Sequence, residues 1–150
     1  MLDVIKTSFF NKLLFSFVYE TNQKGKEYYL NKLIFEGEYL NGERNGKGKE
    51  YHEDGNLYFE AEYLNGKING NGKEYYDNGV LKIDGEYLNG KLYGKVREFY
   101  SNGNLKFDGE YLNGKRWNGK GKEYDTSGKL AFQGEYVNGK AWNYNWVNNN

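Results

Sequence analysis

The chain has 150 residues, with 21 basic and 21 acidic side chains that cancel, one histidine, no cysteine and no proline. Zero net charge with the two signs finely interspersed argues against a dominant nucleic-acid or anionic-membrane footprint, which would need a basic excess; binding to membrane lipid is left possible but unsupported. The lack of cysteine excludes a disulfide framework and a thiolate metal site.

Aromatic residues make up 19% of the chain against 37% for all hydrophobic residues. About half of the apolar character is therefore Tyr, Phe and Trp, which bury large areas and favour strands. The stretch Lys106-Phe107-Asp108-Gly109-Glu110-Tyr111-Leu112-Asn113-Gly114-Lys115 recurs, and its central tyrosines fall at Tyr39, Tyr63, Tyr87, Tyr111 and Tyr136, at spacings of 24, 24, 24 and 25 residues. A fixed period of this size marks a repeat architecture whose units touch only their neighbours.

At the N-terminus, Leu2, Ile5, Phe9, Phe10, Leu13, Leu14 and Phe17 fit one face of a helix. Against that, Asn11-Lys12-Leu13-Leu14-Phe15 nearly duplicates Asn31-Lys32-Leu33-Ile34-Phe35. Residues 1–10 read as a cap, helix or strand, and residues 11–28 as a shortened repeat. Asn11 and Lys12 interrupt the apolar run, which is too short and polar to span a membrane and lacks a cleavage site, so a cytoplasmic location is expected. The division is a cap with a degenerate repeat over 1–25, regular repeats over 26–140, and a C-terminal cap and tail over 141–150.

Each regular unit carries two turn signals. One is Asp54-Gly55, Asn78-Gly79, Asn102-Gly103 and Ser127-Gly128; the other is Asn41-Gly42, Asn65-Gly66, Asn89-Gly90, Asn113-Gly114 and Asn138-Gly139. Such pairs between strand-like runs predict type I′ hairpin turns and two strands per unit. Alternation puts Leu105, Phe107, Gly109 and Tyr111 on one face and Lys106, Asp108, Glu110 and Leu112 on the other. The glycine leaves a gap that a neighbouring ring can cover. Three departures stand out: one extra residue around Arg116-Trp117, a turn without glycine at Leu30-Asn31, and Val96 where other units have Gly48, Gly72 and Gly121. The fold class is all-β, an elongated array of antiparallel hairpins with N- and C-terminal caps and about eleven or twelve strands, roughly 50–60 Å long at ~4.8 Å per strand.

No catalytic, cofactor-binding or metal-ligating residue is assigned. Glu38, Glu62, Glu86, Glu110 and Glu135 form a ladder that reads as cross-strand pairing with Lys49, Lys73, Arg97 and Lys122 or with other solvated charges, rather than as catalytic carboxylates. The lone His52 occupies a position held by Tyr76, Tyr100 and Asp125 and is expected to face solvent; one histidine cannot make a zinc site. The repeated Gly-x-Gly leads into a strand rather than the helix N-terminus a phosphate loop needs. Tyr39, Tyr63, Tyr87, Tyr111 and Tyr136 are expected to pack as an aromatic ladder. Glu62, Glu86, Leu88, Glu110 and Leu112 form the candidate interaction surface on the other face.

The segment Phe35-Glu36-Gly37-Glu38-Tyr39-Leu40-Asn41-Gly42, followed by Gly46-Lys47-Gly48, resembles the core of the MORN repeat: aromatic-x-Gly-x-aromatic, then x-Asn-Gly, then Gly-x-Gly. With its Lys-Glu-Tyr and Asn-Gly-x-Leu insert it is most similar to bacterial MORN-variant repeats, some of them antitoxin-like, over about residues 26–140. The resemblance implies a hairpin array with a scaffolding or protein-binding role. Phosphoinositide binding has been proposed for members of the family, but nothing in these residues selects a lipid. The expected function is a non-enzymatic module that binds a protein partner, with self-association through sheet edges as a further mode. The alternative is an aromatic repeat module that binds carbohydrate or a lipid surface.

Overall fold

The computed structural model describes the backbone of residues 4–10, 13–20, 24–117 and 119–146, and the side chains of residues 24–117 and 121–142. The outer ends of both expected caps, residues 1–3 and 147–150, lie outside the described residues. Among those described, every regular element is a β-strand: β1 Val4–Phe10, β2 Leu13–Glu20, β3 Lys24–Tyr29, β4 Lys32–Leu40, β5 Glu43–Tyr51, β6 Leu57–Leu64 and β7 Lys67–Tyr75. The second half continues with β8 Leu81–Leu88, β9 Lys91–Phe99, β10 Leu105–Leu112, β11 Lys115–Arg116, β12 Gly119–Tyr124, β13 Leu130–Val137 and β14 Lys140–Trp146. They form one open sheet in which each strand pairs antiparallel with the next in sequence, except that β11 is a short piece beside β10 and the path runs on through β12.

The count exceeds the expected eleven or twelve for two reasons. Both end segments are strands, and the extra residue of the 25-residue unit splits one strand into β11 and β12. The helical alternative for residues 1–10 is replaced by β1, paired to β2 from Val4↔Tyr19 to Phe10↔Leu13. A strand there satisfies the N–H and C=O groups of an edge that a helix would leave open.

The turns are of two kinds, which corrects the expectation of type I′ throughout. Asn41, Asn65, Asn89, Asn113 and Asn138 all have φ of 50–54°, and the glycine after each is also positive, as type I′ demands. In the other class only Gly55, Gly79, Gly103 and Gly128 are positive. There the Gly55 N–H donates to His52 C=O and the His52 N–H to Asn56 C=O, which makes a three-residue loop of a type I turn and a left-handed glycine. The turn at Leu30-Asn31 takes positive φ at both residues (49° and 62°) without glycine, and leucine pays about 1–2 kcal/mol for that conformation. Leu30→Asn with Asn31→Gly is expected to raise stability by about 1 kcal/mol, measured by urea unfolding; no change would mean that this turn is not strained.

With a single layer, the core must be made on one face. Phe35 is fully buried, with its ring over Gly37 and Gly48: a Cβ on either would lie 2.5–2.7 Å from the ring tip. Phe35 meets Tyr39 of its own strand and Tyr63 of the next unit edge-to-face, at 5.7 and 5.4 Å. Phe59 to Tyr87 and Phe107 to Tyr136 repeat this link. In the middle unit Ile83 stands in the phenylalanine position and Val96 in that of the covered glycine, with Val96 1% exposed. The core accordingly divides there into two clusters, one from Phe35 to Tyr87 and one from Phe107 to Tyr136.

Candidate functional site

The aromatic face is closed by a second set of carboxylates. Register places Glu27, Glu50, Glu74, Glu98 and Glu123 directly opposite Phe35, Phe59, Ile83, Phe107 and Phe132. The Tyr39 hydroxyl donates to Glu27 and that of Tyr63 to Glu50, both at 2.6 Å. Tyr111 donates likewise to Glu98 and Tyr136 to Glu123. Glu74 instead takes Lys82 Nζ at 2.6 Å. Arg44 lies 3.8 Å above the Phe35 ring, forks onto Glu27 (2.7 and 2.8 Å) and reaches Glu50 at 3.0 Å. Arg116 does the same over Phe107 with Glu98 and Glu123. These glutamates were missed from sequence, although the repeated Lys-Glu-Tyr carries them.

Burial opposes the charge of Glu27, but the Arg44 guanidinium and the Tyr39 hydroxyl offset it and hold the carboxyl below its usual range. A depressed carboxyl contributes stability that is present above its unfolded pKa, near 4.5, and is lost as pH falls through the lower folded value. Arg44→Met is therefore expected to cost about 2 kcal/mol at neutral pH and to flatten the acid limb of stability against pH in urea melts. An unchanged acid limb would show that Arg44 does not hold Glu27 charged. Tyr39, Tyr63 and Tyr136 are 4% exposed, and Tyr87 and Tyr111 are half-buried. The expected aromatic ladder is thus part of the packed face.

The opposite face is polar and carries a groove of about 710 Å³ that crosses β3 to β8. Its floor is the backbone of Gly25, Gly37, Gly48, Ala61 and Gly72. One wall is Lys24, Glu38, Lys47, Glu62 and Asn71; the other is Lys26, Glu36, Lys49, Glu60, Lys73 and Asp84. Both walls alternate in sign as far as β6, because β3 to β6 each contribute one charge type to both rows, and β7 adds the neutral Asn71 to one and Lys73 to the other.

Register decides which charges face the glutamate ladder: Glu38, Glu62, Glu110 and Glu135 stand opposite Lys24, Lys47, Lys95 and Lys120. Lys49, Lys73, Arg97 and Lys122 stand opposite Glu36, Glu60, Asp84 and Asp108, not opposite the ladder. Ladder residues Glu38 and Glu62 curl over the bulge glycines Gly46 and Gly70 and accept the N–H of Lys47 and Asn71, at 3.2 and 3.0 Å. The left-handed glycines mark a bulge that shifts the register between Tyr39↔Arg44 and Gly37↔Gly48.

Every groove carboxylate has an internal donor. Glu36 accepts the Tyr51 hydroxyl and Glu60 that of Tyr75, each at 2.6 Å, and Asp84 pairs with Arg97 at 2.5 Å. Burial and then the Glu36 carboxylate push Tyr51 up to about 12. By contrast Lys47, Lys49 and Lys73 make no ion pair among the described residues. The groove's acids are engaged and Lys26 pairs with Glu36 at 3.7 Å, while those three lysines make no such pair among the described residues.

Of the expected surface, Glu62 lines the groove, whereas Glu86, Leu88, Glu110 and Leu112 lie farther along the same face. Glu86, Leu88 and Glu110 are exposed and Leu112 is half-buried. His52 is partly exposed and makes contacts beyond the solvent-facing expectation. Its ring packs 4.7 Å from Tyr58, and its enclosed Nε2 sits 3.2 Å from the Asp77 carboxylate in the next loop. The equivalent Tyr76 and Tyr100 hydroxyls donate to Phe99 C=O and Tyr124 C=O, so this position stitches loop to loop. The described residues contain no group of three or more His, Cys, Asp or Glu able to hold a metal, and no helix long and apolar enough to cross a membrane.

The family model of the MORN repeat matches residues 35–57 and 59–80, and that of the MORN repeat variant matches residues 92–113 and 117–138. Together they span more than half of the chain. No curated protein matches it.

Proposed function

The chain belongs to the MORN-repeat family, and from that membership together with the groove we propose that it is a non-enzymatic docking module for an extended acidic protein segment. MORN repeats generally mediate protein or membrane-lipid interaction. The observation that carries the choice of occupant is the imbalance in the groove. The imbalance is one of bonding, since five lysines and five carboxylates line the groove. The carboxylates accept internal hydrogen bonds, while Lys47, Lys49 and Lys73, opposite Glu62, Glu36 and Glu60 in register, make no ion pair among the described residues. A partner carboxylate laid along the glycine floor meets those ammonium groups without displacing an internal bond, and electrostatic match of this kind governs association rate and specificity. Leu88 and Leu112 extend the contact along the same face, and Glu86 and Glu110 there suit basic residues that flank the acidic stretch. Scaffolding is the general form of such a role. The antitoxin-like role that the variant repeats suggest is the special case in which the segment belongs to a toxin.

The test compares partner capture, followed by mass spectrometry, for the native chain and for Lys47→Glu, Lys49→Glu and Lys73→Glu combined. These exposed substitutions are expected to leave melting within about 1 kcal/mol of native and to weaken capture of an acidic partner roughly tenfold. Equal capture by the variant would overturn the reading. So would flotation with anionic vesicles that depends on the same lysines, which would make the groove a lipid surface.

A further inference from the structure

We propose that the polar face carries a second binding element beyond the groove, a row of Tyr93, Trp117 and Trp142 that takes a polyproline II segment of a protein partner; this rests on the protein-docking reading above. The three occupy one repeat position, each directly after the residue that faces the ladder tyrosine (Leu92, Arg116 and Ala141), where the first two units have Asn45 and Asn69. Each sits across from a ladder glutamate. Register pairs Glu86 with Tyr93 and Glu135 with Trp142, and the Trp117 N–H donates to Glu110 C=O at 3.0 Å.

They are 43%, 38% and 59% exposed. Among the described residues no aromatic ring stacks on any of them and no cation lies over one. Asparagine serves the same position in the first units, so the fold does not require a ring there. Three consecutive units that hold large rings in water, on the face away from the core, offer a row of stacking surfaces.

The spacing names the occupant. A unit is two strands wide, ~10 Å at ~4.8 Å per strand. A polyproline II helix rises ~3.1 Å per residue with three residues per turn, about 9 Å per turn. One proline in every three therefore falls on successive rings. Such a helix has no internal hydrogen bonds and docks on aromatic grooves in a preformed conformation, at low entropic cost. The carboxylates of Glu86, Glu110 and Glu135 beside the rings suit an Arg or Lys that flanks the prolines, and they repel a nucleic-acid phosphate.

The experiment titrates the full chain with a fluorescent oligoproline long enough for three turns, beside a Gly/Ser peptide of equal length and a soluble β-linked oligosaccharide. Saturable binding of the oligoproline is expected, with none of the Gly/Ser peptide. Trp117→Ala or Trp142→Ala is expected to weaken it roughly tenfold, with native melting because both side chains are exposed. No oligoproline binding, or undiminished binding by the triple variant with Tyr93→Ala, would overturn the proposal. Oligosaccharide binding lost in the same variants, without oligoproline binding, would overturn it in favour of a sugar platform. The groove reading is judged separately, by the lysine variants and the acidic partner, so either can fail while the other stands.

Discussion

Gly48→Val is expected to destabilise the chain by about 3 kcal/mol, although valine is the residue that the third unit carries at this position. A Cβ on Gly48 would lie 2.5 and 2.6 Å from the Phe35 ring and 3.0 Å from that of Tyr63, and Phe35 is fully buried with no room to retreat. In the third unit the ring is replaced by Ile83, and Val96 fills the space instead; its γ-methyl would lie 2.9 Å from a Cβ on Gly85. The pair Phe/Gly and the pair Ile/Val are two solutions to one volume. Phe35→Ile combined with Gly48→Val is therefore expected to cost less than the sum of the single changes, by about 1–2 kcal/mol of coupling in a double-mutant cycle of urea melts. Strict additivity would show that the two sites do not share space. Because repeat units contact only their neighbours, the loss should fall on the first cluster, with protection from hydrogen exchange reduced around β4 to β6 before β10 to β13.

Alkaline pH should unfold the protein steeply. Burial, and then hydrogen bonding to Glu27, Glu50 and Glu123, push the Tyr39, Tyr63 and Tyr136 hydroxyls well above the ordinary tyrosine value. Burial and Glu98 bring Tyr111 up to about 12. The unfolded chain ionises its tyrosines near 10, so above that pH it binds fewer protons than the folded chain and stability falls as pH rises. The contribution is fully present below about pH 10 and lost as pH passes through the folded values. Each of the three buried tyrosines adds at most about 1.4 kcal/mol per pH unit, and partial exposure and screening reduce the share of Tyr111. Their sum is comparable to a typical domain's whole stability within about two pH units. Urea melts between about pH 9 and 11, with tyrosinate absorbance followed alongside, should show this slope. Tyr39→Phe with Tyr63→Phe should cost about 1 kcal/mol each at neutral pH and make the alkaline slope shallower. An unchanged slope in that variant would assign the effect to lysines instead.

The repeat, the hairpins, the aromatic face and the MORN resemblance were legible in the residues because period, alternation and Asn-Gly turns are local signals. Glycine covered by a ring was legible too, since a gap on the pleat beside large residues has few other uses. Three things were not. Which basic residues face the glutamate ladder was left open, because the register of each strand against the next depends on the bulges at Gly46 and Gly70, where a side chain folds back onto the backbone. The role of His52 depends on a neighbouring loop about one unit away in sequence, and variety at this position hid the stitch that His52, Tyr76 and Tyr100 make there, since Asp125 instead closes its own loop. The bonding imbalance of the groove, whose five lysines and five carboxylates cancel as the chain's 21 basic and 21 acidic residues do, was not visible in composition. Composition counts charges, but only the tertiary structure decides which carboxylates a tyrosine hydroxyl or a bulge N–H has already taken, and so which lysines are left for a partner.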